Sequence, residues 1–513
     1  MAELLLGIDV GNGSTKAVLA RTDGTVVADA QAEHTYEVPR PGWAEMDPEG
    51  VWWHDIVALS KEMVAAADGD SIAAVGISAL GPCLVPVDED GRPLRKAILY
   101  GVDTRATEQI EALEREFGRD EIFALGGNRL TSQSLGPKIR WLREEEPDVY
   151  RDSTLFLTAP AWIVNRMIGV AAIDRHQAAH FTPLVDISTM TWSDRFAAGI
   201  VELERLAPIR STRTIAGGVT DKAARETGLK AGTPVTVGAA DTMAEAMSVG
   251  VVHPGDLMIM YGSTAFLLLV LEERISHPDL WTTAGAFGGK YGLTAGMAMA
   301  GATTRWFRNQ LARDLVAAED DGGPDAYQAL ADEAAESTIG ARGLVLLPYL
   351  SGERTPLHDP LARGVIAGIS LGTTRGDLFR AVLEGVAYGM RHNLETMAAA
   401  GATIERVVAI GGGAKNPLWL QIVSDVTGLT QHLAKRAIGA AYGDAFRAGL
   451  AVDLLKREDL DRTWVEPGKT IKPNADKDVR ARYDEAYAEY RALYPASLET
   501  IHRLARRGLD EDE

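Results

Sequence analysis

The feature that most constrains this chain is its opening hairpin, Leu5-Leu6-Gly7-Ile8-Asp9-Val10-Gly11-Asn12-Gly13-Ser14-Thr15-Lys16-Ala17-Val18-Leu19, answered downstream by a second glycine-hydroxyl turn, Tyr261-Gly262-Ser263-Thr264. In the first, an apolar run delivers one carboxylate, Asp9, into a glycine turn, and the chain returns through Lys16-Ala17-Val18-Leu19 as the next strand. Such a turn lets backbone N–H groups approach an anion closely while the aspartate holds a hydrated Mg²⁺. Together the two turns read as two phosphate clamps. Taken alone, the first could equally be an ordinary hairpin.

Two better-known phosphate motifs do not apply. A dinucleotide fingerprint needs a third glycine three residues after Gly13, where Lys16 stands, and a helix where a strand pattern follows. Gly468-Lys469-Thr470 has the end of a P-loop, but its other required glycine falls on Thr463.

At 513 residues and 46% hydrophobic content, the chain is long enough for two domains, each with its own core, and two domains imply a cleft. Lys plus Arg total 52 against 72 Asp plus Glu, and the net charge of -20 argues against nucleic acid or an anionic membrane as a partner. Cys83 is the single cysteine, so there is no intramolecular disulfide, a zinc cluster is disfavoured, and a reducing cytoplasm is expected. No signal peptide is expected before Gly7-Ile8-Asp9, and the longest apolar stretch, Ala265 to Leu271, is too short to span a bilayer.

Short β-branched runs alternate with longer Ala/Leu/Glu/Arg segments, which predicts an α/β protein. Strands are predicted over 4–8, 16–20, 26–32, 72–78, 83–87, 235–238, 256–261, 345–347 and 406–410. Helices are predicted over 48–67, 104–116, 137–145, 242–248, 303–316, 325–335, 374–399, 416–427 and 437–449. Both halves open on a hairpin with a glycine turn, so the chain reads as a distant internal duplication joined near Gly250–Gly255. Asp510-Glu511-Asp512-Glu513 reads as a solvated tail.

Several segments resemble the FGGY carbohydrate kinases of the actin/Hsp70/sugar-kinase superfamily. Gly364-Val365-Ile366-Ala367-Gly368-Ile369, followed by Asp377-Leu378 and Ala381-Val382-Leu383-Glu384, is similar to that family's C-terminal signature. Leu350-Ser351-Gly352-Glu353-Arg354-Thr355-Pro356 and Pro41-Gly42-Trp43-Ala44-Glu45-Met46-Asp47-Pro48 resemble two further family segments. The resemblance implies two actin-like (ribonuclease H-like) α/β domains with a catalytic cleft between them. An N-terminal domain over 1–250 would bind sugar and phosphate, a C-terminal domain over 251–455 would bind nucleotide, and an extension over 456–513 would pack on them.

The same resemblance implies an ATP- and Mg²⁺-dependent phosphotransferase acting on a small sugar. Its base maps onto Asp241, at the end of Val237-Gly238-Ala239-Ala240-Asp241, where a plain helix N-cap is the alternative. Asp9 would hold Mg²⁺ through water. Gly11, Asn12, Gly13, Ser14 and Lys16 would face the phosphates from one domain, and Gly262, Ser263 and Thr264 from the other. Adenosine would lie against Gly301 and Arg305 and over Gly411-Gly412-Gly413-Ala414-Lys415-Asn416, with Gly412, Gly413 and Asn416 in contact. Gly81, Pro82, Asp103, Gln133 and Asp241 would line the sugar pocket.

The chain departs from the family mainly at that pocket. Asn12-Gly13 replaces two hydroxyl residues, and Ala79-Leu80-Gly81-Pro82-Cys83 replaces the xylulokinase Gly-Gln-Met-His-Gly. Tyr100-Gly101-Val102-Asp103-Thr104-Arg105 keeps only the Asp, Thr and Arg of Trp-Asn-Asp-Thr-Arg, and Gln133 falls where glycerol kinases place a tyrosine. D-Xylulose is the leading expectation, with another ketose or a polyol as the alternative, and dimers are common in the family. His176 and His180 lack the glutamate and third ligand of a zinc site and read as pocket-lining or surface histidines. A non-catalytic sugar-binding relative would show erosion at Asp9, Asp241 or the nucleotide glycines, and none is seen.

Overall fold

The computed structural model describes residues 3–286 and 290–512. The first half builds a sheet from β1 (Glu3–Val10), β2 (Ser14–Arg21), β3 (Val26–Glu33), β4 (Ser71–Ala79), β5 (Ile215–Gly218), β6 (Pro234–Thr236) and β7 (Ala239–Ala240), in the order β5-β6-β4-β1-β2-β3, with β7 also paired to β4. Leu4, Leu5 and Leu6 of β1 are all buried, so both faces of this central strand are covered.

The second half builds another from β8 (Asp256–Tyr261), β9 (Ala265–Leu271), β10 (Trp281–Ala286), β11 (Lys290–Met297), β12 (Arg406–Ile410), β13 (Gln431–Ala434) and β14 (Pro467–Ile471), in the order β10-β11-β9-β8-β12-β13-β14. The central five strands of the two sheets correspond. In each, three antiparallel strands (β3-β2-β1 and β11-β9-β8) are extended by two that run parallel to the first (β4, β6 and β12, β13). The paired hairpins foreshadow this duplication, and the ribonuclease H-like architecture is the one the family resemblance implies.

The helices that matter for the site are α1 (His54–Ala66), α2 (Leu135–Glu145), α3 (Arg175–Ala179), α4 (Asp241–Ser248), α5 (Gly301–Leu311), α6 (Arg375–Ala399), α7 (Pro417–Thr427), α8 (Ala440–Ala451) and α9 (Lys477–Asp512). The two halves exchange helices. Met243 and Ala246 of α4 pack with Met258, Leu268 and Ile410 of the second sheet. Ala441, Ala445 and Phe446 of α8 pack with Leu5, Val18 and Ala20 of the first, although the sequence reading groups this helix with the second domain.

α8 lies so close to its neighbours that only glycine fits beneath it. A Cβ on Gly7 would sit 1.8 Å from Ala441 O, one on Gly76 2.1 Å from Asp444 O, and one on Gly443 2.0 Å from Ala244 O. These contacts bind β1, β4, α8 and α4 into a single block between the sheets.

Several elements differ from the sequence reading. The 83–87 run pairs as Val85–Val87 with Leu155–Leu157 outside the main sheet, and 345–347 pairs with Val365–Ala367. The helix predicted over 303–316 breaks at Ala312, whose φ of -136° is not helical. The strands β5, β7, β10, β11, β13 and β14 carry no prediction, and β9 is foreseen only as the returning arm of the second hairpin. The 36-residue α9 is likewise unpredicted; Tyr483, Tyr487 and Tyr490 fasten it to the second core beside Tyr349 and Tyr388. Its backbone runs through Asp512, and the side chains of the acidic end, 508–513, lie outside the described residues. No helix among the described residues is long and apolar enough to cross a membrane.

Candidate active site

Strand register brings the two key carboxylates together. Asp9 lies opposite Ser78 of β4, and β4 pairs at its end with β7 through Ser78↔Ala239 and Ala79↔Ala240. Asp9 and the start of α4 are thus two strand spacings, about 10 Å, apart at one edge. Asp241 is the first residue of α4 rather than its cap residue, and its Oδ1 accepts from Thr242 N at 2.7 Å. Ser78 Oγ donates to Asp9 Oδ1 at 2.8 Å.

Glu245, one turn along α4, and Asp444 of α8 complete an acidic floor. Atoms crowd all four groups, and that desolvation is the largest influence on each. It pushes Asp241 up to about 8 with help from the Asp9 charge, Glu245 up to about 7 with the same help, and Asp444 up to about 7 against the pull of Arg447. Asp9 is raised too, with Ser78 and Lys16 opposing. Arg447 is buried, donates to Asp444 Oδ1 at 2.6 Å and spans the carbonyls of Ile77 and Val237.

No group of three His, Cys, Asp or Glu side chains among the described residues converges to hold a bare metal ion. That fits a hydrated divalent cation such as Mg²⁺, which Asp9 would hold through water.

The first glycine turn is propped from behind. Gly11 N donates to Ser14 O at 2.9 Å, His34 Nε2 lies 2.9 Å from Gly11 O, and Asp55 of α1 holds both His34 Nδ1 (2.8 Å) and Thr15 Oγ1 (2.9 Å). A Cβ on Gly13 would meet nothing within 4 Å, so the turn is open on its outer side. Asn12 Nδ2 donates to the Tyr100 hydroxyl, and Lys16 is exposed opposite Asp9.

The second turn occupies the equivalent place in the other sheet. Ser263 O accepts from Ala300 N and Ala302 N, and Gly262 O from Gly301 N, each at 2.9 Å, which seats the turn on the start of α5. A Cβ on Gly301 would fall 2.6 Å from Gly262 O, so glycine is required there. A cavity of about 580 Å³ opens beside it, and Gly262, Ser263, Gly301, Arg305, Gly412, Gly413 and Asn416 all line it. Thr264 does not. Asn416 Oδ1 also caps α7 through Trp419 N at 3.1 Å. Tyr327 and Trp419 add aromatic walls that the sequence reading did not single out.

The loops that follow β4 and precede α2 hold the remaining residues singled out in the sequence. Asp103 is wholly buried, its oxygens taken by Ala44 N (2.7 Å) and by Arg105 Nε (2.9 Å) and Nη2 (2.6 Å). This corrects the expectation of a sugar contact: the carboxylate anchors its segment through Arg105. Lys138 of α2 donates to Leu99 O at 2.5 Å and reaches Tyr100 O at 3.3 Å, and burial brings its ammonium down to about 8.

The residue these contacts position is Tyr100. Burial, then the Asp241 charge, pushes its phenol up to about 12, and Arg354 of the second half is close enough to oppose them. Gln133 packs on Gly101, where a Cβ would lie 2.9 Å from its Cγ. Pro82 is buried beside Gly81, whose surface is covered by Gln177. His176 and His180 stack edge to face at 5.2 Å, and burial lowers both, His180 to about 4. The sequence signal that could have led to Gln177 was this histidine pair around it.

The halves also meet across this region. Asn128 exchanges two 2.7 Å hydrogen bonds with the Thr282 backbone of β10, and Thr283 Oγ1 lies 2.5 Å from His176 Nδ1.

Comparison with known proteins agrees with this geometry. The N-terminal domain of the FGGY family of carbohydrate kinases matches residues 4–248, and the C-terminal domain of that family matches 257–452. The chain is 30% identical over 507 residues to the xylulose kinase of Escherichia coli (strain K12), covering 96% of this chain and 98% of that one. It is also 30% identical over 518 residues to the autoinducer-2 kinase of Yersinia pestis bv. Antiqua (strain Angola), covering 97% and 95%. The crystal structure of xylulose kinase from Rhodospirillum rubrum matches with a TM-score of 0.90 at 31% identity, covering 97% of this chain and all of that one.

Proposed function

Because the chain belongs to the FGGY family of carbohydrate kinases, we propose that it transfers the γ-phosphate of ATP to the 5-hydroxyl of a ketopentose, D-xylulose, with Asp241 as general base. The observation that carries the reading is the pairing of Asp9 and Asp241 at one end of the first sheet beside its glycine turn, together with the nucleotide-sized cavity that the second glycine turn lines.

In this reading the sugar oxygen attacks the γ-phosphorus in line, its proton passes to Asp241, and ADP leaves. Transfer of a charged phosphoryl group depends on positioning and electrostatics. Backbone N–H groups of 11–14 and 262–264 cradle the phosphates, Lys16 neutralises charge from one side, and Arg354 faces the acceptor from the other half. Asp9 would hold Mg²⁺ through water, and the ion would supply neutralising charge to the phosphates and ease the repulsion between Asp9 and Asp241.

Full-length similarity to xylulose kinases supports D-xylulose. Equal identity to an autoinducer-2 kinase, together with the Leu80-Gly81-Pro82 departure, supports a second reading in which another ketose or a polyol is the acceptor. The test is ATP-dependent ADP release with Mg²⁺ across pentuloses, hexuloses, aldoses and polyols, alongside Asp241→Ala. Turnover of D-xylulose that the variant abolishes is expected. Turnover confined to another acceptor selects the second reading, and an Asp241→Ala protein with full activity refutes the assigned base.

A further inference from the structure

Gln177 stands out beside the acceptor side of the cleft. It lies on α3, whose first turn is capped by Asp174 Oδ1 accepting from His176 N (2.7 Å) and Gln177 N (3.2 Å). The side chain is 1% exposed, yet neither Nε2 nor Oε1 finds a hydrogen-bond partner within the protein. Native folds rarely leave a buried amide unpaired at both ends unless it has a further task.

Its surroundings indicate what that task is. The amide lies against Gly81: a Cβ there would sit 2.4 Å from Nε2 and 2.8 Å from Oε1. Gly81 opens the loop after β4, and the end of β4 is paired with the strand that leads straight into Asp241. α3 itself packs on that strand, β7.

We propose that Gln177 is a specificity-determining residue that binds a pair of neighbouring hydroxyls on the acceptor, next to the hydroxyl presented to Asp241. The proposal deepens the kinase reading and rests on it. An amide offers a donor and an acceptor side by side, and a vicinal diol answers both. A carboxylate would face Oε1 as one acceptor against another, so the pocket favours neutral polyhydroxy compounds over sugar acids. The flanking imidazoles of His176 and His180, kept neutral by burial, fit the same preference.

The second half holds α3 in place, which ties acceptor reading to the contact between the halves. Thr283 Oγ1 meets His176 Nδ1, and Gly285, with φ of +85°, lies where a Cβ would be 2.9 Å from Arg175 Cβ and 3.0 Å from His176 N. A reading group fixed in this way loses little freedom on binding.

The experiment measures kcat and KM for sugar and for ATP, with melting temperature, in the wild type, Gln177→Leu and Gly81→Ala. The accepted sugar and each of its single-deoxy analogues serve as substrates. Gln177→Leu removes the hydrogen bonds at similar size, and Gly81→Ala drives a methyl group into the amide. Both should lower kcat/KM for the sugar about ten- to a hundredfold while leaving KM for ATP within about twofold. The wild type's discrimination against one deoxy analogue should vanish in Gln177→Leu, because the lost hydroxyl and the lost amide are the same interaction.

Losses of equal size on every analogue, or no loss, overturn the proposal while leaving the kinase reading intact. A wild type that binds nucleotide but turns over no sugar overturns both. Should Gln177→Leu fail to fold, the Gly81→Ala comparison carries the same decision.

Discussion

Replacing Gly7 by alanine tests the packing that unites the acidic floor. Gly7 lies in β1, two residues before Asp9 and directly beneath α8, where the added methyl carbon would stand 1.8 Å from Ala441 O and 2.5 Å from Ala445 N. An ordinary carbon–oxygen contact is about 3.3 Å, so α8 must retreat by roughly 1.5 Å or β1 must bow by as much. Both obstructing atoms are backbone in a helix whose Gly443 abuts α4, so no flexible side chain can absorb the strain. Overpacking costs about 1–3 kcal/mol, and the rigid surroundings place this case near 3 kcal/mol.

That loss corresponds to a melting temperature lower by about 3 °C for a chain of this size. Because β1 carries Asp9 and α8 carries Asp444, a displacement of about 1 Å at the floor should also reduce kcat about 100-fold. Thermal melts and ADP release on the same preparations give both quantities, with Gly372→Ala as the control, since a Cβ at that exposed loop position meets only Ser370 Oγ at 3.9 Å. A Gly7→Ala protein that melts within about 1 °C of the wild type and keeps its kcat would refute the reasoning.

Four further outcomes are expected. Asp241 must be ionised to act as base, and its carboxyl is raised to about 8 by burial and then by Asp9, so kcat/KM should fall as pH drops through that region. More Mg²⁺ should move this acid limb to lower pH, and a limb that ignores Mg²⁺ in kinetic titrations would count against Asp9 as the cation's holder. In the cation-free protein the same raised value means that the folded state binds the extra proton, so stability should decline as pH rises from about 4 to 8; Asp241→Asn should flatten that decline in urea titrations. Arg447→Met leaves Asp444 buried without its partner and should cost about 3–5 kcal/mol in chemical denaturation. His180 is held neutral, lowered to about 4 by burial, so its contribution is complete above about 6.5 and lost as pH falls towards 4; His180→Gln should flatten that acid-side loss in thermal melts.

Legibility differed from site to site for physical reasons. Asp9, its glycine turn and the Gly262 turn could be read because their chemistry is local: a strand, a glycine and a charged or hydroxyl side chain lie within a few residues. The nucleotide residues Gly301, Arg305, Gly412, Gly413 and Asn416 came from a resemblance and prove to line one cavity, while Tyr327 and Trp419 carry no local mark. Asp103 misled, since a carboxylate next to an arginine reads the same whether the pair faces a ligand or is closed on itself. β9 read only as the apolar returning arm of a hairpin with β8, because nothing within it names β11 as its other neighbour.

By itself, the sequence determined the α/β class and the duplicated hairpins, because these depend on hydrophobic period and turn chemistry over short spans, while Asp241 was singled out through the family resemblance. Only the tertiary structure decided which groups share the floor. Asp444 is separated from Asp9 by most of the chain and reaches it because three glycines let α8 settle onto the first sheet and against α4. The raised carboxylates follow from the same fact, since desolvation and like charge depend on what surrounds a group in space and leave no trace in the residues beside it.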